Sequence, residues 1–375
     1  MTDTRYWIAF NLVPQIGPVK VRRLLDHFGD LATAWQANLF DLNAAGLDQR
    51  AIANLVEARA QINLDAELAK IAHAGVRVLT LDDPAYPRLL SQVDNAPFVL
   101  YVKGDLTPAD EWAIAIVGTR NASAYGREVT RQIVSDLVCN QITIVSGLAR
   151  GIDAEAHRAA LDAHGRTLAV LGSGVDVIYP SEHAKLAEQI IAHGALLSEY
   201  PLGTKPDACN FPPRNRIISG LALGAVVIEG TETSGARITI EDALEQNRET
   251  FAVPGNIFHP NARGPNKLIQ RGEAKLITCA AEILEELNLT QIAEHQEMRA
   301  TLPENATEAA LLQQLSAEPI HIDDLGRETG LPIATVSSTL ALMELKGMVR
   351  QIGGMKYIVA RESPAPYEHP NSKIG

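Results

Sequence analysis

Residues 113–172 read AIAIVGTRNASAYGREVTRQIVSDLVCNQITIVSGLARGIDAEAHRAALDAHGRTLAVLG and contain three short apolar runs, each closed by a glycine. Segments with apolar residues at helical spacing separate the runs. Four further runs, ALLSEY, AVVIEG, TFAVPG and AKLITC, continue the alternation to residue 279. Apolar runs between helices are typical of parallel strands covered on both faces. Residues 112–282 are therefore predicted to form an α/β domain with a doubly wound, mostly parallel sheet.

The segments before this domain have a different pattern. Residues 1–70 carry apolar side chains at helical spacing, as in VKVRRLLDHF, and are predicted to form a small helical N-terminal domain. Residues 71–111 are predicted to be a connector with two short strands, VRVLTL and PFVLYVKG. The Pro-rich DDPAYPRLL between these strands does not continue a helix.

The segments after the domain predict a third unit. Residues 283–307 are acidic, Gln-rich and weakly periodic, which favours a linker. Residues 308–360 contain three short helical segments and a hairpin pattern around Gly353-Gly354, which together predict a C-terminal winged helix-turn-helix. The polar, Pro-rich residues 361–375 are predicted to be a disordered tail.

Composition excludes several classes of protein. The 375 residues are 46% hydrophobic, and 33 basic against 45 acidic side chains give a net charge of −12. These values exclude collagenous and disordered chains. No stretch has the pattern of a signal peptide or a membrane span, so we expect a soluble cytoplasmic protein with no membrane partner. The three cysteines, Cys139, Cys209 and Cys279, form no metal-binding or disulfide pattern and are expected to be buried thiols.

The acidic total argues against a protein that coats nucleic acid by charge alone. Its distribution leaves room for a local basic groove. Residues 112–279 carry 16 basic and 17 acidic side chains, whereas residues 280–375 carry 7 and 14.

The predicted loops after the first two strands of the sheet domain contain the same types of residue. Each combines glycine, a hydroxyl and an arginine just before a helix, where backbone N–H groups and the helix dipole favour an anion. The carboxyl ends of parallel strands also form the usual ligand crevice of such sheets. The candidate anion-binding residues are Gly118, Thr119 and Arg120 in the first loop, and Ser146, Gly147 and Arg150 in the second.

The segment NFPPRNR, residues 210–216, is the strongest single candidate site. Planar arginine side chains suit phosphate oxygens, and an aromatic ring can stack on a base. The combination favours nucleic acid over inorganic phosphate. The candidate residues are Phe211, Arg214, Asn215 and Arg216. In the alternative interpretation Phe211 is a core anchor and the arginines pair with Glu199 or Glu229.

Two further segments offer phosphate contacts. Ser234 and Gly235 precede a predicted helix that carries Arg237, and Lys267 and Arg271 follow later in the chain. Carboxylates near Ser234 and Gly235 make an anion site there less favourable. For Lys267 and Arg271, a surface position without a ligand contact is equally open.

Several catalytic patterns are missing. GSG at 172–174 lacks the third glycine of GxGxxG and follows the third strand, so a dinucleotide site is not expected. No GxxxxGK[ST], GxSxG or HExxH occurs, and no cofactor, metal or catalytic residue is predicted. The loops are suited to holding phosphates without transforming them.

Seven ordered segments together resemble the DNA-processing protein A family (DprA, also called Smf). They are IVGTRNASAYG, IVSGLARGIDAEAH, TLAVLGSGVDVIYP, LLSEYPLG, NFPPRNRIISGL, VVIEGTETSGARIT and FAVPGNI. The resemblance implies an extended Rossmann domain, a sterile-alpha-motif-like N-terminal domain and a C-terminal winged helix.

The same resemblance implies a function. It implies a non-catalytic homodimer that binds incoming single-stranded DNA during natural transformation, protects it and loads the RecA recombinase for homologous recombination. The implied DNA-binding residues match the loops above from Gly118 to Gly235. Two departures stand out: Pro213 where relatives often have a basic residue, and Arg237 within Gly-Ala-Arg-Ile in place of Gly-Ser-Leu-Ile.

Two other functions stay open on the sequence. EGTETSGARIT keeps part of the PGGxGTxxE signature of nucleotide phosphoribohydrolases of the lysine-decarboxylase-like group, but it lacks the paired glycines. A winged helix also occurs in transcriptional regulators that bind duplex DNA. Residues 301–360 hold four basic and seven acidic side chains, which argues against duplex binding and favours a protein-interaction role.

Overall fold

The computed structural model of the chain describes residues 4–289, 306–315, 319–345 and 349–359. The chain divides into two compact units, Met1–Leu287 and Asn288–Gly375. Most of the predicted linker, residues 290–305, and the predicted tail, residues 361–375, lie outside the described residues.

Nine strands within residues 4–289 form one sheet. They are β1 Arg77–Thr80, β2 Val99–Gly104, β3 Ala113–Val117, β4 Thr143–Ser146, β5 Thr167–Val170, β6 Ala195–Ser198, β7 Gly224–Val227, β8 Glu249–Ala252 and β9 Lys275–Leu276. Their order is β1-β2-β6-β5-β4-β3-β7-β8-β9. Strand β2 pairs antiparallel with β1 and β6, and every other neighbouring pair is parallel. The predicted α/β class with a mostly parallel sheet is confirmed.

Both faces of the sheet are covered, which explains the continuous apolar runs. Along β5, Leu168 and Val170 enter one hydrophobic core while Ala169 enters another. Successive strand residues point to opposite faces, so a strand with two covered faces has no polar side. All five residues of β3 are buried for this reason.

Fourteen helices accompany the sheet within residues 4–289. They are α1 Thr4–Asn11, α2 Pro18–Phe28, α3 Leu31–Gln36, α4 Leu39–Ala44, α5 Gln49–Gln61, α6 Leu64–His73, α7 Arg88–Ser91, α8 Ala124–Cys139, α9 Ile152–Asp162, α10 Ala184–His193, α11 Phe211–Gly220, α12 Gly235–Glu245, α13 Arg263–Arg271 and α14 Ala280–Glu286. Asp30, Asn38, Asp48 and Asn63 cap α3 to α6 by accepting backbone N–H bonds, which accounts for the closely spaced short helices. Helix α14 occupies the start of the segment predicted as a linker, so the predicted boundary at residue 283 is too early.

The N-terminal helices share a core with the sheet. Trp7 and Phe10 of α1 belong to the same buried cluster as Tyr101 of β2. The Tyr101 hydroxyl donates to Asn11 Oδ1 at 3.0 Å, and Lys70 Nζ donates to the Leu202 carbonyl at 2.9 Å. Strands β1 and β2 of the predicted connector extend the main sheet. Residues 1–111 therefore pack as part of the first compact unit and not as a separate domain and connector.

The strand order locates the crevice of the sheet. Strands β4 and β7 flank β3 on opposite sides, and the chain winds outward from β3 in both directions. Loops that leave the carboxyl ends of these strands diverge to opposite faces and leave a gap between them. The loops after β3, β4 and β7 border this gap.

The second unit has the elements of a winged helix. They are α15 Ala306–Gln314, β10 Ile320–His321, α16 Ile322–Thr329, α17 Ile333–Leu345, β11 Val349–Gly353 and β12 Lys356–Val359. Leu311, Leu325, Val336 and Leu340 form its core. The predicted winged helix is confirmed. The sequence missed strand β10, a two-residue strand that pairs with β12.

Two expectations concern the surface. Cys139 and Cys209 are exposed and Cys279 is half-buried, so the prediction of buried thiols is wrong. Cys139 is the last residue of α8 and Cys209 lies in a short turn before α11, where neither packs into the core. Within the described residues, no helix is both long and apolar enough to span a bilayer.

Candidate nucleic-acid interface

The loop after β3, residues 118–123, is held in place by Glu229 at the end of β7. Thr119 N–H donates to the Glu229 carbonyl at 2.7 Å. Ser123 donates from its backbone N–H and its hydroxyl to the two Glu229 carboxylate oxygens, at 2.9 and 2.5 Å. Because Glu229 is buried and both of its oxygens are bonded, this carboxylate fixes the loop and does not pair with an arginine of residues 210–216.

The loop after β4 packs against the loop after β3. Gly151 has φ = 78°, a left-handed conformation that favours glycine. A Cβ atom at Gly151 would collide with the Thr119 carbonyl oxygen, and the next N–H, that of Ile152, donates to this oxygen at 3.2 Å. The close approach brings the two predicted anion-binding loops to one place at the carboxyl edge of the sheet.

Arg214 lies below these loops with its guanidinium buried. Its Nη1 donates to the carbonyl of Gly147 at 2.7 Å and also to the carbonyl of Val170, so one side chain joins the ends of β4 and β5. Burial lowers the pKa of Arg214 to about 10, which leaves the side chain protonated at neutral pH. Arg214 therefore supplies a fixed positive charge from beneath the surface.

Phe211 stands above this charge at the start of α11. The guanidinium carbons of Arg120 and Arg214 each lie 5.8 Å from the centre of its ring. The ring of Tyr179 lies 5.7 Å away, centre to centre, at a tilt of 43°. A Cβ at Gly172 would be 2.9 Å from Phe211 Cδ1, so the missing side chain at Gly172 makes room for the ring. Phe211 is half-buried, with part of its surface open to a ligand.

These groups line an open pocket of about 560 Å³. Eight of the predicted site residues contribute to its wall: Gly118, Thr119, Arg120, Phe211, Arg214, Asn215, Ser234 and Gly235. Arg120 is exposed and forms no ion pair with any residue that the structure describes. The pocket thus combines an available guanidinium, a buried one and an aromatic ring.

Three residues predicted in the loop after β4 have other positions. Ser146 is fully buried and its hydroxyl donates to the Ile116 carbonyl at 2.7 Å, so it braces two strands and does not reach a ligand. Gly147 and Arg150 line a smaller recess on the other side of Phe211. Arg150 is exposed and makes a bidentate ion pair with Glu182, at 2.7 and 2.8 Å.

Arg216 departs most from the prediction. Its guanidinium is buried and forms a bidentate ion pair with Glu199, at 3.0 and 2.7 Å. The residue belongs to helix α11, where positions two apart point to different sides of the helix. Arg214 faces the pocket and Arg216 faces the interior for this reason. The prediction that Arg216 grips a phosphate is replaced by the alternative in which it pairs with Glu199.

Arg237 and Lys267 lie apart from the pocket. Together with Arg271 they line a narrow recess between α12 and α13. Arg237 pairs with Glu241 at 2.7 Å, and Lys267 Nζ donates to Gln270 Oε1 at 2.9 Å. Both contacts are on the surface, where such pairs contribute little to stability and exchange readily for a ligand.

Tyr179 and Asp153 are among the pocket residues that were not predicted. Tyr179 is 44% exposed and lies in the loop after β5, where GSGVDVIYP has glycines and an aromatic residue but no arginine. Asp153 is buried in the pocket wall. Burial raises the pKa of this carboxyl, and the nearby Arg214 opposes the shift.

The pocket can hold an anion and a flat ring together. The Arg120 guanidinium offers donors for phosphate oxygens. Phe211 and Tyr179 offer apolar faces, and cations beside an aromatic ring favour stacking of electron-rich rings. Within the described residues, no group of His, Cys, Asp and Glu side chains is arranged to hold a metal ion.

Comparisons with known proteins place the chain in a family. Residues 77–288, more than half of the chain, match the model of the DNA recombination-mediator protein A family. Residues 295–355 match the DprA winged helix domain. Protein Smf from Synechocystis sp. is 36% identical over 393 aligned residues, which cover 95% of this chain and 98% of that protein.

Two solved structures are similar to this chain. DNA processing protein A from Streptococcus pneumoniae superposes with a TM-score of 0.67 at 36% identity and covers 76% of this chain and 99% of its own. DNA processing protein A from Helicobacter pylori, whose structure concerns its single-stranded DNA binding mode, gives a TM-score of 0.51 at 27% identity, over 56% of this chain and 95% of its own. The chain therefore belongs to the DNA recombination-mediator protein A family.

Proposed function

We propose that the protein binds single-stranded DNA in the pocket between the β3, β4 and β7 loops and acts as a recombination mediator in natural transformation. The observation that carries the proposal is that the guanidinium carbons of Arg120 and Arg214 both lie 5.8 Å from the centre of the Phe211 ring. Each nucleotide carries a phosphate and a base on its sugar, and this arrangement offers a partner for the phosphate and for the base.

The geometry favours a single strand over a duplex. A base can reach a half-buried ring such as Phe211 only when it is unstacked and unpaired. The site is a concave pocket with one exposed unpaired arginine, whereas a duplex needs a long cationic face. The single-stranded DNA binding reported for the Helicobacter pylori relative supports this choice.

The wider role follows from the family. We infer that the protein is non-catalytic, protects incoming DNA, loads the RecA recombinase onto it and works as a cytoplasmic homodimer. A protein that holds a strand without cutting it suits this role, because the strand must reach the recombinase intact. The named relatives favour DNA processing and do not favour the phosphoribohydrolase alternative.

A binding comparison tests the proposal. The full-length protein is titrated into fluorescent single-stranded and duplex oligonucleotides of equal length and base composition at one salt concentration. We expect tighter binding to the single strand and slower digestion of the bound strand by an added nuclease. Equal affinity for both forms, or release of free base from nucleoside monophosphates by the purified protein, would overturn it.

A further inference from the structure

A second concave surface lies at the same edge of the sheet. It is a groove of about 630 Å³ between the start of α8 and the loop after β8. Tyr125, Pro254, Asn256 and His259 are among its lining residues. The Tyr125 hydroxyl donates to the Pro254 carbonyl at 3.0 Å, which ties the two walls together. None of the residues predicted to bind DNA lines this groove.

The loop after β8 presents two large apolar side chains to solvent beside the groove. Phe258 is 84% exposed and Ile257 is 73% exposed. Asn256 fixes the turn, because its Oδ1 accepts from Phe258 N–H at 2.9 Å and its carbonyl accepts from His259 N–H at 2.9 Å. The exposed phenyl ring on this turn is available to a partner.

The charges around the groove favour an anionic partner. Glu229 is the one carboxylate among the lining residues, and both of its oxygens are bonded to Ser123. Arg127 on α8 and Arg263 at the start of α13 are exposed and form no ion pair with any residue from 4–289 or the described parts of the second unit. Arg127 donates to the Ala122 carbonyl at 2.6 Å, which places its guanidinium beside the β3 loop.

The groove and the pocket are lined by neighbouring residues of one segment. Residues 118–120 line the pocket and residues 123–125 of the same segment line the groove. Asn261 Nδ2, next to the groove, donates to the Asn121 carbonyl at 3.0 Å. Arg120 and Tyr125 are five residues apart, so their Cα atoms are at most about 18 Å apart. About five stacked nucleotides, at roughly 3.4 Å each, span that distance.

We propose that Phe258 and Tyr125 form a second base-stacking subsite, which takes unpaired bases of the strand held in the first pocket. The inference rests on the proposed function. The occupant is single-stranded DNA, because one segment lines both the groove and the pocket, Arg127 and Arg263 have no ion-pair partner among the described residues, and two exposed aromatic side chains, Tyr125 and Phe258, lie at the groove. A second copy of the chain is the alternative occupant, and the experiment below distinguishes the two.

The test compares short and long oligonucleotides by calorimetric titration. We expect a deoxythymidine dinucleotide, with its single phosphodiester, to occupy the first pocket alone, whereas an oligomer of about twelve nucleotides can reach both surfaces. For Phe258→Ala we expect about tenfold weaker binding of the long oligomer and unchanged binding of the short one, as for the loss of one stacked base. Phe258→Trp keeps a stacking ring and is expected to bind both like the original protein.

Ile257→Ala is the matched control, because it removes a comparably exposed apolar side chain that has no stacking face. We expect it to bind both oligomers unchanged. Unchanged long-oligomer binding by Phe258→Ala, while Arg120→Ala weakens both oligomers, would overturn this inference and leave the proposed function intact. Failure of the original protein to bind either oligomer would overturn both. A change in sedimentation of Phe258→Ala without DNA would assign the surface to a second copy instead.

Discussion

Three arginines near the pocket have three different environments. Arg120 is exposed without an ion pair among the described residues, Arg214 is buried against carbonyl oxygens, and Arg216 is buried against Glu199. An exposed guanidinium can exchange water for a phosphate at little cost, whereas Arg216 would first have to leave a bidentate carboxylate. We therefore propose that Arg120 makes the direct phosphate contact and that Arg214 acts through its fixed charge.

The burial of Arg216 predicts an effect on stability. Arg216→Ala leaves the Glu199 carboxylate largely buried without its partner, and we expect a loss of about 3 kcal/mol in the free energy of unfolding. Urea denaturation measures this loss. The double variant Arg216→Met with Glu199→Leu removes both charges and is expected to recover most of it. Equal stability of Arg216→Ala and the original protein would show that the ion pair is not formed.

His157 predicts how stability depends on pH. It is fully buried on α9, with Nδ1 2.7 Å from the Thr167 hydroxyl oxygen, and burial lowers its pKa to about 3. The unfolded chain takes up a proton on this residue near pH 6.5, so acidification from about pH 6.5 towards pH 3 favours unfolding, by up to about 1.4 kcal/mol per pH unit.

His157→Gln tests this assignment. The amide keeps a donor for Thr167 but does not titrate, so denaturation midpoints of the variant should fall less steeply between pH 6.5 and pH 4 than those of the original protein. The same pH slope for both proteins would place the proton uptake elsewhere.

At the residue scale the sequence predicted positions better than orientations. Glycine, hydroxyl and arginine after each strand located the loops that border the pocket, because strand ends of one direction meet at one edge. The spacing of Arg214 and Arg216 was misread because residues 211–220 are helical, which turns the two side chains apart. The groups that each arginine side chain contacts lie far along the chain, so a local sequence pattern does not predict them.

At the element scale, the pocket depends on close contacts between loops and one helix. Phe211 begins α11, and its ring sits over Gly172 after β5. Gly172→Ala would place a methyl group 2.9 Å from the ring, so the ring must shift. We expect severalfold weaker single-strand binding with a small change in stability. Gly17→Ala, with open space around it, is the control and should change neither property. Unaltered binding by Gly172→Ala would show that the position of the Phe211 ring does not affect DNA binding.

Elements with a strong local pattern were predicted well. Each of the seven apolar runs from residue 113 to 279 contains a strand. In β3 to β8 burial on both faces imposes the continuous apolar pattern, whereas the two residues of β9 are exposed. The position of β1 and β2 in the sheet was not predicted. Strand β2 pairs antiparallel with β1 and β6, and the β2–β6 pairing joins residues far apart in the chain. A sequence window of six residues does not predict such a pairing.

At the scale of the whole molecule, the chain consists of two compact units with their own cores. The candidate residues for DNA binding all lie in the first unit, and the second is acidic over residues 301–360. We therefore expect a chain truncated after residue 289 to keep single-strand affinity within about threefold. Anisotropy titration of both forms measures this. A loss of more than about tenfold would assign a direct DNA contact to the second unit.

The central claim is that Arg120 contacts a phosphate of the bound strand. The direct measurement is the salt dependence of single-strand affinity for the original protein, Arg120→Ala and Arg131→Ala, the last being an exposed arginine already paired with Glu155. Loss of one phosphate contact makes the negative slope of log affinity against log salt less steep by about 0.7 for a single strand. We predict this reduction for Arg120→Ala and none for Arg131→Ala. Identical slopes for all three proteins would contradict the account.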